Sequence, residues 1–322
     1  MASSKYVPTP NYKSYNPSRS QLIPQQSPTP NPSGVAANLP PIRATLFDMD
    51  GLLINSEDLY TLVTNAVLHE YGKPELPWNI KAQLQGRPGP EAGRIFHEWA
   101  QLPIGRDEFL AKTRRLQEEW FPSTKALAGV KELLRVLKGV EGVEMALATS
   151  SMASNFKLKT EHLEDEIFWV FPEEHRVLGD DARIPAGRGK PAPDIYLLAL
   201  ETINARLRRE GKVSEILPSE CLVFEDSVPG VESGRRAGMR VVWCPHPGLL
   251  NEYRGREAEV LAGLTGEYKG VEEKNEAIGV VEAKEGEGLV RKKGAPGTVG
   301  DGWARLFDSL EGFPYEDYGI RV

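Results

Sequence analysis

Short apolar runs alternate with helix-compatible stretches along most of this chain, and this alternation constrains the fold more than any other feature. The runs cover residues 43–47, 143–150, 221–226 and 239–243. Between them, apolar residues recur at the three- and four-residue spacing of helices that pack on a sheet. Strands that alternate with helices predict an α/β fold with a doubly wound, Rossmann-like parallel sheet.

A long helical block interrupts the alternation after the first run. From about residue 58 to 125 the pattern is helical throughout, with no strand-like run. We therefore expect a helical cap at 58–125, inserted into a core formed by 41–57 and 126–264. The apolar repeat is clearest at the start of this block, at Leu59, Leu62, Val63, Ala66 and Val67.

Both ends of the chain differ in composition from this core. Residues 1–40 contain no Asp or Glu and are rich in Pro, Ser, Asn and Gln, which predicts a disordered tail. Residues 265–300 are rich in Gly, Glu and Lys and predict an irregular insertion. Within 301–322, Trp303, Leu306, Phe307 and Leu310 have the spacing of a closing amphipathic helix.

Charge and cysteine content indicate which kind of partner and which cellular compartment to expect. The 322 residues carry a formal net charge of -7, which argues against a nucleic-acid or anionic-membrane surface and favours a small-molecule partner. Cys221 and Cys244 lie in strand-like runs and are expected as free buried thiols, so the cytoplasm is the expected compartment. A mitochondrial transit peptide in the acid-free tail is the alternative, although its prolines oppose an amphipathic helix. A monomer is the default expectation.

Polar side chains follow the predicted strands at the edge where ligands bind in open α/β sheets. The carboxyl ends of parallel strands meet there, so these residues should converge. Each one alone has an ordinary explanation as a helix cap, a turn former or a solvated loop residue. The residues are Asp48 and Asp50, Thr149 and Ser150, Lys190, and Glu225 and Asp226.

Together these residues have the chemistry of phosphoryl transfer. Mg²⁺ prefers oxygen ligands, which Asp48, Asp226 and a backbone carbonyl at Asp50 would supply. The Thr149 hydroxyl, the Ser150 amide and the Lys190 ammonium would neutralise a phosphoryl group. Asp48 would then attack phosphorus, while Asp50 would protonate the leaving oxygen and later deprotonate water.

The motifs closely resemble those of the haloacid dehalogenase (HAD) superfamily of phosphotransferases. This resemblance implies a helical cap, Mg²⁺ dependence, an aspartyl-phosphate intermediate, support of the metal site by Glu225 and a phosphate contact by Gly51. Dehalogenases themselves lack the acid that Asp50 provides, which argues against that chemistry. The resemblance rests on Asp48-Met-Asp-Gly-Leu-Leu53, Ala148-Thr-Ser150, Gly189-Lys-Pro-Ala-Pro-Asp194 and Val223-Phe-Glu-Asp-Ser227.

Within this superfamily the chain is most similar to the pseudouridine 5′-phosphatase and β-phosphoglucomutase-like group. Residues 58–60, 147–154 and 177–181 carry that similarity. The similar cap stretch 85–92 is expected to face the leaving group. Arg87, which lies in this stretch, is a candidate substrate contact, with a solvated loop arginine as the alternative.

A phosphatase acting on a small phosphorylated metabolite is the predicted function, with Mg²⁺ as the cofactor. Candidate substrates are nucleoside, pseudouridine, sugar and polyol phosphates. A β-phosphoglucomutase-like phosphomutase is the first alternative. Those mutases resemble this chain after the first motif, but they have a histidine at the position of Tyr60. The absence of that histidine favours hydrolysis here. A catalytically idle scaffold that recruits partners is the second alternative.

Overall fold

The computed structural model describes residues 39–87, 89–212, 214–268 and 294–322. The predicted disorder of the N-terminal tail therefore lies outside the described residues, as does most of the predicted insertion at 265–300. No helix in the described ranges combines the length and the apolar character that crossing a membrane requires.

A parallel sheet forms the centre of the molecule. Its strands are β1 (Ala44–Phe47), β2 (Glu144–Ala148), β3 (Arg176–Val177), β4 (Cys221–Glu225), β5 (Arg240–Trp243) and β6 (Ala304–Leu306). In the described part of the chain the sheet has six strands in the order β3-β2-β1-β4-β5-β6. Each neighbouring pair is parallel, with Phe47 opposite Leu147 on one side and Phe224 on the other. The predicted α/β fold class is confirmed.

Helices cover both faces of this sheet and extend over one edge. They are α1 (Ser56–Glu70), α2 (Trp78–Leu84), α3 (Gly89–Ala100), α4 (Arg106–Trp120), α5 (Val130–Gly139), α6 (Ala153–Thr160), α7 (Asp194–Arg209), α8 (Val228–Arg236), α9 (Pro247–Glu252) and α10 (Glu257–Ala262). The strands are apolar because both faces are buried. One face packs on α5 and the C-terminal residues, and the other on α7 and α8.

The four helices α1–α4, which we call the cap, share an apolar cluster of their own. Val67, Leu68, Phe96, Ala100 and Phe109 are its buried members. These helices account for most of residues 58–125, and the division of the chain into a cap domain and a core stays a prediction.

Two neighbouring linkers connect the cap to the core. Ile54 and Ala126 form an antiparallel bridge, and the Asn55 N–H donates to the Lys125 carbonyl (3.1 Å). The Lys125 N–H donates in return to Asn55 Oδ1 (2.7 Å). The chain therefore leaves and re-enters the core at one place.

The predicted C-terminal helix is wrong. Residues 304–306 form β6, which pairs with β5 and extends the sheet, and the chain ends in a short 3₁₀ helix at Tyr315–Tyr318. The physical reason is the open edge of β5, whose backbone groups need partners: Val241 N–H donates to Trp303 O, and Phe307 N–H to Trp243 O. The apolar residues that have helical spacing in this segment contact the core from a strand and a loop.

Candidate active site

Buried carboxylates meet where β1 and β4 end. Asp48 follows β1, while Glu225 ends β4 and Asp226 follows it. One oxygen from each of these three carboxylates lies within 4.8 Å of the other two. All three residues are buried. A cluster of like charges in a water-excluded place requires a cationic partner, and oxygen donors of this kind suit a hard divalent cation.

Lys190 supplies one positive charge to this cluster from the loop before α7. Its Nζ donates to Asp48 Oδ1 (2.5 Å) and the Ala148 carbonyl (3.1 Å), and pairs with Glu225 Oε1 (2.7 Å). Burial raises the pKa of Asp48 to about 7, against the opposing charge of Lys190 and with the help of Glu225 and Asp50. Burial alone would lower the pKa of Lys190, but the carboxylates of Asp48 and Glu225 outweigh it and raise that pKa.

Glu225 uses both carboxylate oxygens within the protein. Oε1 accepts from the Tyr196 hydroxyl (2.7 Å) as well as from Lys190, and Oε2 accepts from the Asp226 N–H, the Ser227 N–H and the Ser227 hydroxyl. These bonds fix the turn that presents Asp226. The support of a metal site by Glu225, as a ligand or through water, stays a prediction.

Asp50 lies apart from the carboxylate cluster and has its own set of donors. Its Oδ1 accepts from Ser56 Oγ (2.5 Å) and Lys159 Nζ (2.5 Å), and its Oδ2 accepts from Ser151 Oγ (2.7 Å). Burial alone raises the pKa of Asp50, but the charge of Lys159 and hydrogen bonds from Lys159, Ser151 and Ser56 outweigh it and hold the pKa below its usual value. Three side chains therefore fix the orientation of the Asp50 carboxylate.

The predicted phosphate-binding residues have different surroundings. Thr149 is buried, and its Oγ1 accepts from the Ser151 N–H (3.0 Å). Ser150 is exposed at the end of β2. The Gly51 N–H donates to the Ile54 carbonyl (2.9 Å), so the backbone donor assigned to phosphate already has a partner.

Gly51 instead allows a close approach to the Asp226 carboxylate. It has a φ of +82°, and a Cβ at this position would lie 2.1 Å from Asp226 Oδ2. No side chain fits between these two groups. Glycine is required here by both its backbone conformation and its size.

The cap contacts the core directly above the carboxylates. Gln85, in the loop after α2, is buried, and its Nε2 donates to Asp226 Oδ2 (2.5 Å). Trp78 stacks on His246 with ring centroids 4.5 Å apart and packs against Gly248. The stretch 85–92 therefore begins beside Asp226, and its expected contact with the leaving group stays a prediction.

Arg87 has protein partners on both sides. It donates to Glu91 Oε1 (3.0 Å), to the Gln83 carbonyl (2.6 Å) and to Glu267, which follows α10. These contacts connect the cap to the core and correspond to neither alternative considered from the sequence. A substrate contact by Arg87 stays a prediction.

Several residues of the site were missed by the sequence analysis. Ser151 has the clearest signal among them, because it lies two residues after Thr149, next to the end of a strand. Lys159 and Gln85 lie in helical or loop stretches where polar residues are ordinarily solvated. The residues that the sequence reasoning missed are Ser56, Gln85, Ser151, Lys159 and Tyr196.

Comparison with known proteins adds independent findings. A family model described as haloacid dehalogenase-like hydrolase matches residues 45–244. A Saccharomyces cerevisiae protein named "probable pseudouridine-5′-phosphatase" is 46% identical over 206 residues, which are 64% of this chain and 84% of the relative. (DL)-Glycerol-3-phosphatase 2 of Arabidopsis thaliana is 34% identical over 73% of this chain and 92% of its own length. The crystal structure of a HAD hydrolase, family IA, variant 3, from Entamoeba histolytica has a TM-score of 0.50 at 23% identity and covers 66% of this chain and 88% of that one.

Proposed function

The chain belongs to the haloacid dehalogenase-like hydrolase family, and on that premise we propose that it is a Mg²⁺-dependent phosphatase of small phosphate monoesters. The observation that carries the proposal is the buried cluster of Asp48, Asp226 and Glu225 with Lys190 against it. A structural ion pair needs one carboxylate for each lysine. Two excess carboxylates in a buried place are costly unless a cation joins them.

The residues present fit Mg²⁺. The donors are hard oxygens, and Gly51 keeps the space beside Asp226 free of side-chain atoms. Asp48, Asp226 and the backbone carbonyl of Asp50 would hold the ion, and Glu225 would fix the turn behind Asp226. When bound, Mg²⁺ supplies positive charge that stabilises the transferring phosphoryl group.

The chemical roles follow from the position of each group. Asp48 attacks phosphorus, so that an aspartyl-phosphate forms as the bond to the leaving oxygen breaks. Asp50 donates its proton to that oxygen, then takes a proton from the water that attacks the phosphorus of the aspartyl-phosphate and releases Asp48. Lys190 and Thr149 hold the phosphoryl oxygens, with the Ser150 N–H as a further donor.

The substrate class is a small phosphorylated metabolite with a hydroxylated leaving group. The names of the relatives include a pseudouridine-5′-phosphatase and a glycerol-3-phosphatase, so a nucleoside or polyol monophosphate is the first choice. Gln85 places a polar amide from the cap above the site, where it suits such a leaving group. Cys221 and Cys244 are buried and form no disulfide bond within the described residues, which fits a cytoplasmic enzyme.

Phosphate release tests this proposal. Wild-type protein is incubated with a panel of nucleoside, pseudouridine, polyol and sugar phosphates, with Mg²⁺ and after its removal by EDTA. We expect release that requires Mg²⁺. Interconversion of sugar phosphate isomers without sustained release would indicate a mutase, and inactivity on the whole panel would favour the scaffold.

The covalent route has its own test. Asp48→Asn should lower kcat by about a thousandfold or more, because an amide is a poor nucleophile. Asp308→Asn, at an exposed position near the C-terminus, is the matched control and should behave as wild type. Near-normal turnover by Asp48→Asn would contradict an intermediate on this residue.

A further inference from the structure

Lys159 is completely buried beside the active site, where a lysine is unusual. Its exposure is 0%, whereas Lys157, two residues earlier on α6, has a side chain that is 74% exposed. Burial of an ammonium group costs several kcal/mol unless it is paired and hydrogen-bonded. A lysine that is buried at this cost is expected to have a specific role in the protein.

The Lys159 ammonium has three N–H donors and three oxygen partners. It donates to Asp50 Oδ1 (2.5 Å), to Ser151 Oγ and to the Tyr60 hydroxyl (3.3 Å). It also lies 5.1 Å from the centre of the Tyr60 ring and 5.6 Å from that of Phe121. The side chain is therefore held in one position from several directions.

The two oxygens of Asp50 have partners of different kinds. Oδ1 accepts from the Lys159 ammonium and from the Ser56 hydroxyl. Oδ2 accepts from two hydroxyls, Ser151 Oγ at 2.7 Å and Thr149 Oγ1 at 3.4 Å. An ammonium can only donate, whereas a hydroxyl can rotate and accept, so Oδ2 is the oxygen of Asp50 at which a proton can be accommodated.

We propose that Lys159 is a positioning residue that holds Oδ1 of Asp50 and leaves Oδ2 to carry the proton of the reaction. This inference rests on the proposed function, in which Asp50 is the acid and base. In the first step the O–H bond at Oδ2 breaks and the proton passes to the leaving oxygen as its bond to phosphorus breaks. In the second step Oδ2 takes a proton from water, whose oxygen bonds to phosphorus as the bond from phosphorus to Asp48 breaks.

Lys159 and Lys190 therefore have separate tasks. Lys190 contacts Asp48 and Glu225, where the phosphoryl group would bind, whereas Lys159 contacts Asp50, which would transfer the proton. Loss of Lys159 should consequently reduce turnover more than binding. A merely structural lysine would affect both.

A double-mutant cycle between Lys159 and Asp50 tests the proposal. Lys159→Met should lower kcat for glycerol 3-phosphate by about tenfold or more and change KM by less than about threefold. In the Asp50→Asn background, the same change should lower kcat by less than about twofold, because the group through which Lys159 acts is already lost. Lys157→Met, on the same helix, is the control and should match wild type.

Two further measurements separate positioning from folding. Fluoroberyllate, a phosphoryl mimic that binds at Asp48, should bind Lys159→Met with an affinity within about threefold of wild type. If Lys159→Met does not fold, Asp50→Asn/Lys159→Met removes both buried charges, and Lys159→Gln keeps an N–H donor for Asp50. Because that donor can still hold Oδ1, Lys159→Gln should lose less kcat than the about tenfold expected of Lys159→Met, with little change in KM.

The outcomes distinguish this inference from the proposed function. Equal loss of kcat in both backgrounds would overturn the positioning role alone, as would unchanged kcat in Lys159→Met or loss of fluoroberyllate binding together with activity. Absence of phosphate release by the wild-type chain would overturn the proposed function and this inference together. Loss of kcat confined to the background with an intact Asp50 would support the positioning role.

Discussion

Replacement of Gly51 by alanine should impair metal binding by displacing Asp226. The new Cβ would lie 2.1 Å from Asp226 Oδ2 and 2.8 Å from Glu57 Cγ, and real Cβ atoms almost never approach a neighbour within 3.0 Å. Oδ2 must therefore move by 3.0 - 2.1, about 0.9 Å. A shift of this size at a catalytic group can cost about a hundredfold in rate. Disturbed support of metal ligands typically costs about 10- to 100-fold in affinity.

Backbone strain adds a second effect, which a control can remove. Gly51 has a φ of +82°, where a residue with a Cβ costs roughly 1–2 kcal/mol. Gly72, after α1, has a φ of +64°, and no described atom lies within 4 Å of a Cβ built on it. Gly72→Ala should therefore lose similar stability in urea unfolding but keep the Mg²⁺ requirement of wild type.

A Mg²⁺ titration of phosphate release decides between these effects. Gly51→Ala should need at least about tenfold more Mg²⁺ for half-maximal activity than Gly72→Ala, and its kcat at saturating Mg²⁺ should be lower. The same half-saturating concentration and the same kcat in both variants would refute the steric reasoning. In that case Asp226 would not be the ligand that the close approach protects.

Three further predictions concern Glu225, the contact between the cap and the core, and the pH dependence of stability. Glu225→Gln should lower the free energy of unfolding in urea by about 2 kcal/mol, because its amide nitrogen would face buried donors in place of one accepting oxygen. Gly248→Ala, whose Cβ would lie 2.0 Å from Trp78 Cε2, should displace the cap and lower kcat/KM by about tenfold or more, with little change in core stability. Burial lowers the pKa of His175 below its usual 6.5, so the unfolded chain binds a proton more readily. Stability should therefore fall in urea unfolding as the pH is lowered below about 6.5, and His175→Gln should show a smaller fall.

Each of these has a contrary result. Unfolding of Glu225→Gln at the wild-type urea concentration would mean that the buried donors do not need both oxygens of Glu225. Wild-type kcat/KM in Gly248→Ala would show that the contact with Trp78 is not needed for turnover. An equal loss of stability at low pH in His175→Gln would assign that loss to other groups.

The sheet was largely predictable because burial on both faces leaves a clear mark on the sequence. The central strands β1, β2, β4 and β5 are apolar, and all were predicted. β3 and β6 were not, since strands of two and three residues carry too little pattern. The wrong prediction of a C-terminal helix has a similar origin. Apolar spacing indicates which residues contact the core, and residues 303–310 make those contacts from a strand and a loop.

The site was predictable where it lies on strand ends. Asp48, Thr149, Glu225 and Asp226 converge because the parallel sheet places them at one edge, and Lys190 reaches the same cluster from the loop before α7. The other residues depend on how helices and loops pack against that edge.

The buried lysine shows the limit of sequence reasoning. Lys157 and Lys159 occupy one short helix with the same residue type, yet one is exposed and the other buried. That difference is set by contacts with Tyr60 and Phe121, which are distant in sequence. No local pattern encodes it.

The paired linkers between cap and core have an evolutionary consequence. Ile54 and Ala126 are bridge partners, and Asn55 is hydrogen-bonded to Lys125. The ends of the inserted stretch thus lie as close together as the strands of a hairpin, and a turn of a few residues would join them. Recombination at these two positions would exchange the whole cap as one continuous stretch of gene, while Asp48 and Asp50 stay in the core. A new cap would have to supply its own counterparts of Ser56 and Tyr60, which contact Asp50 and Lys159.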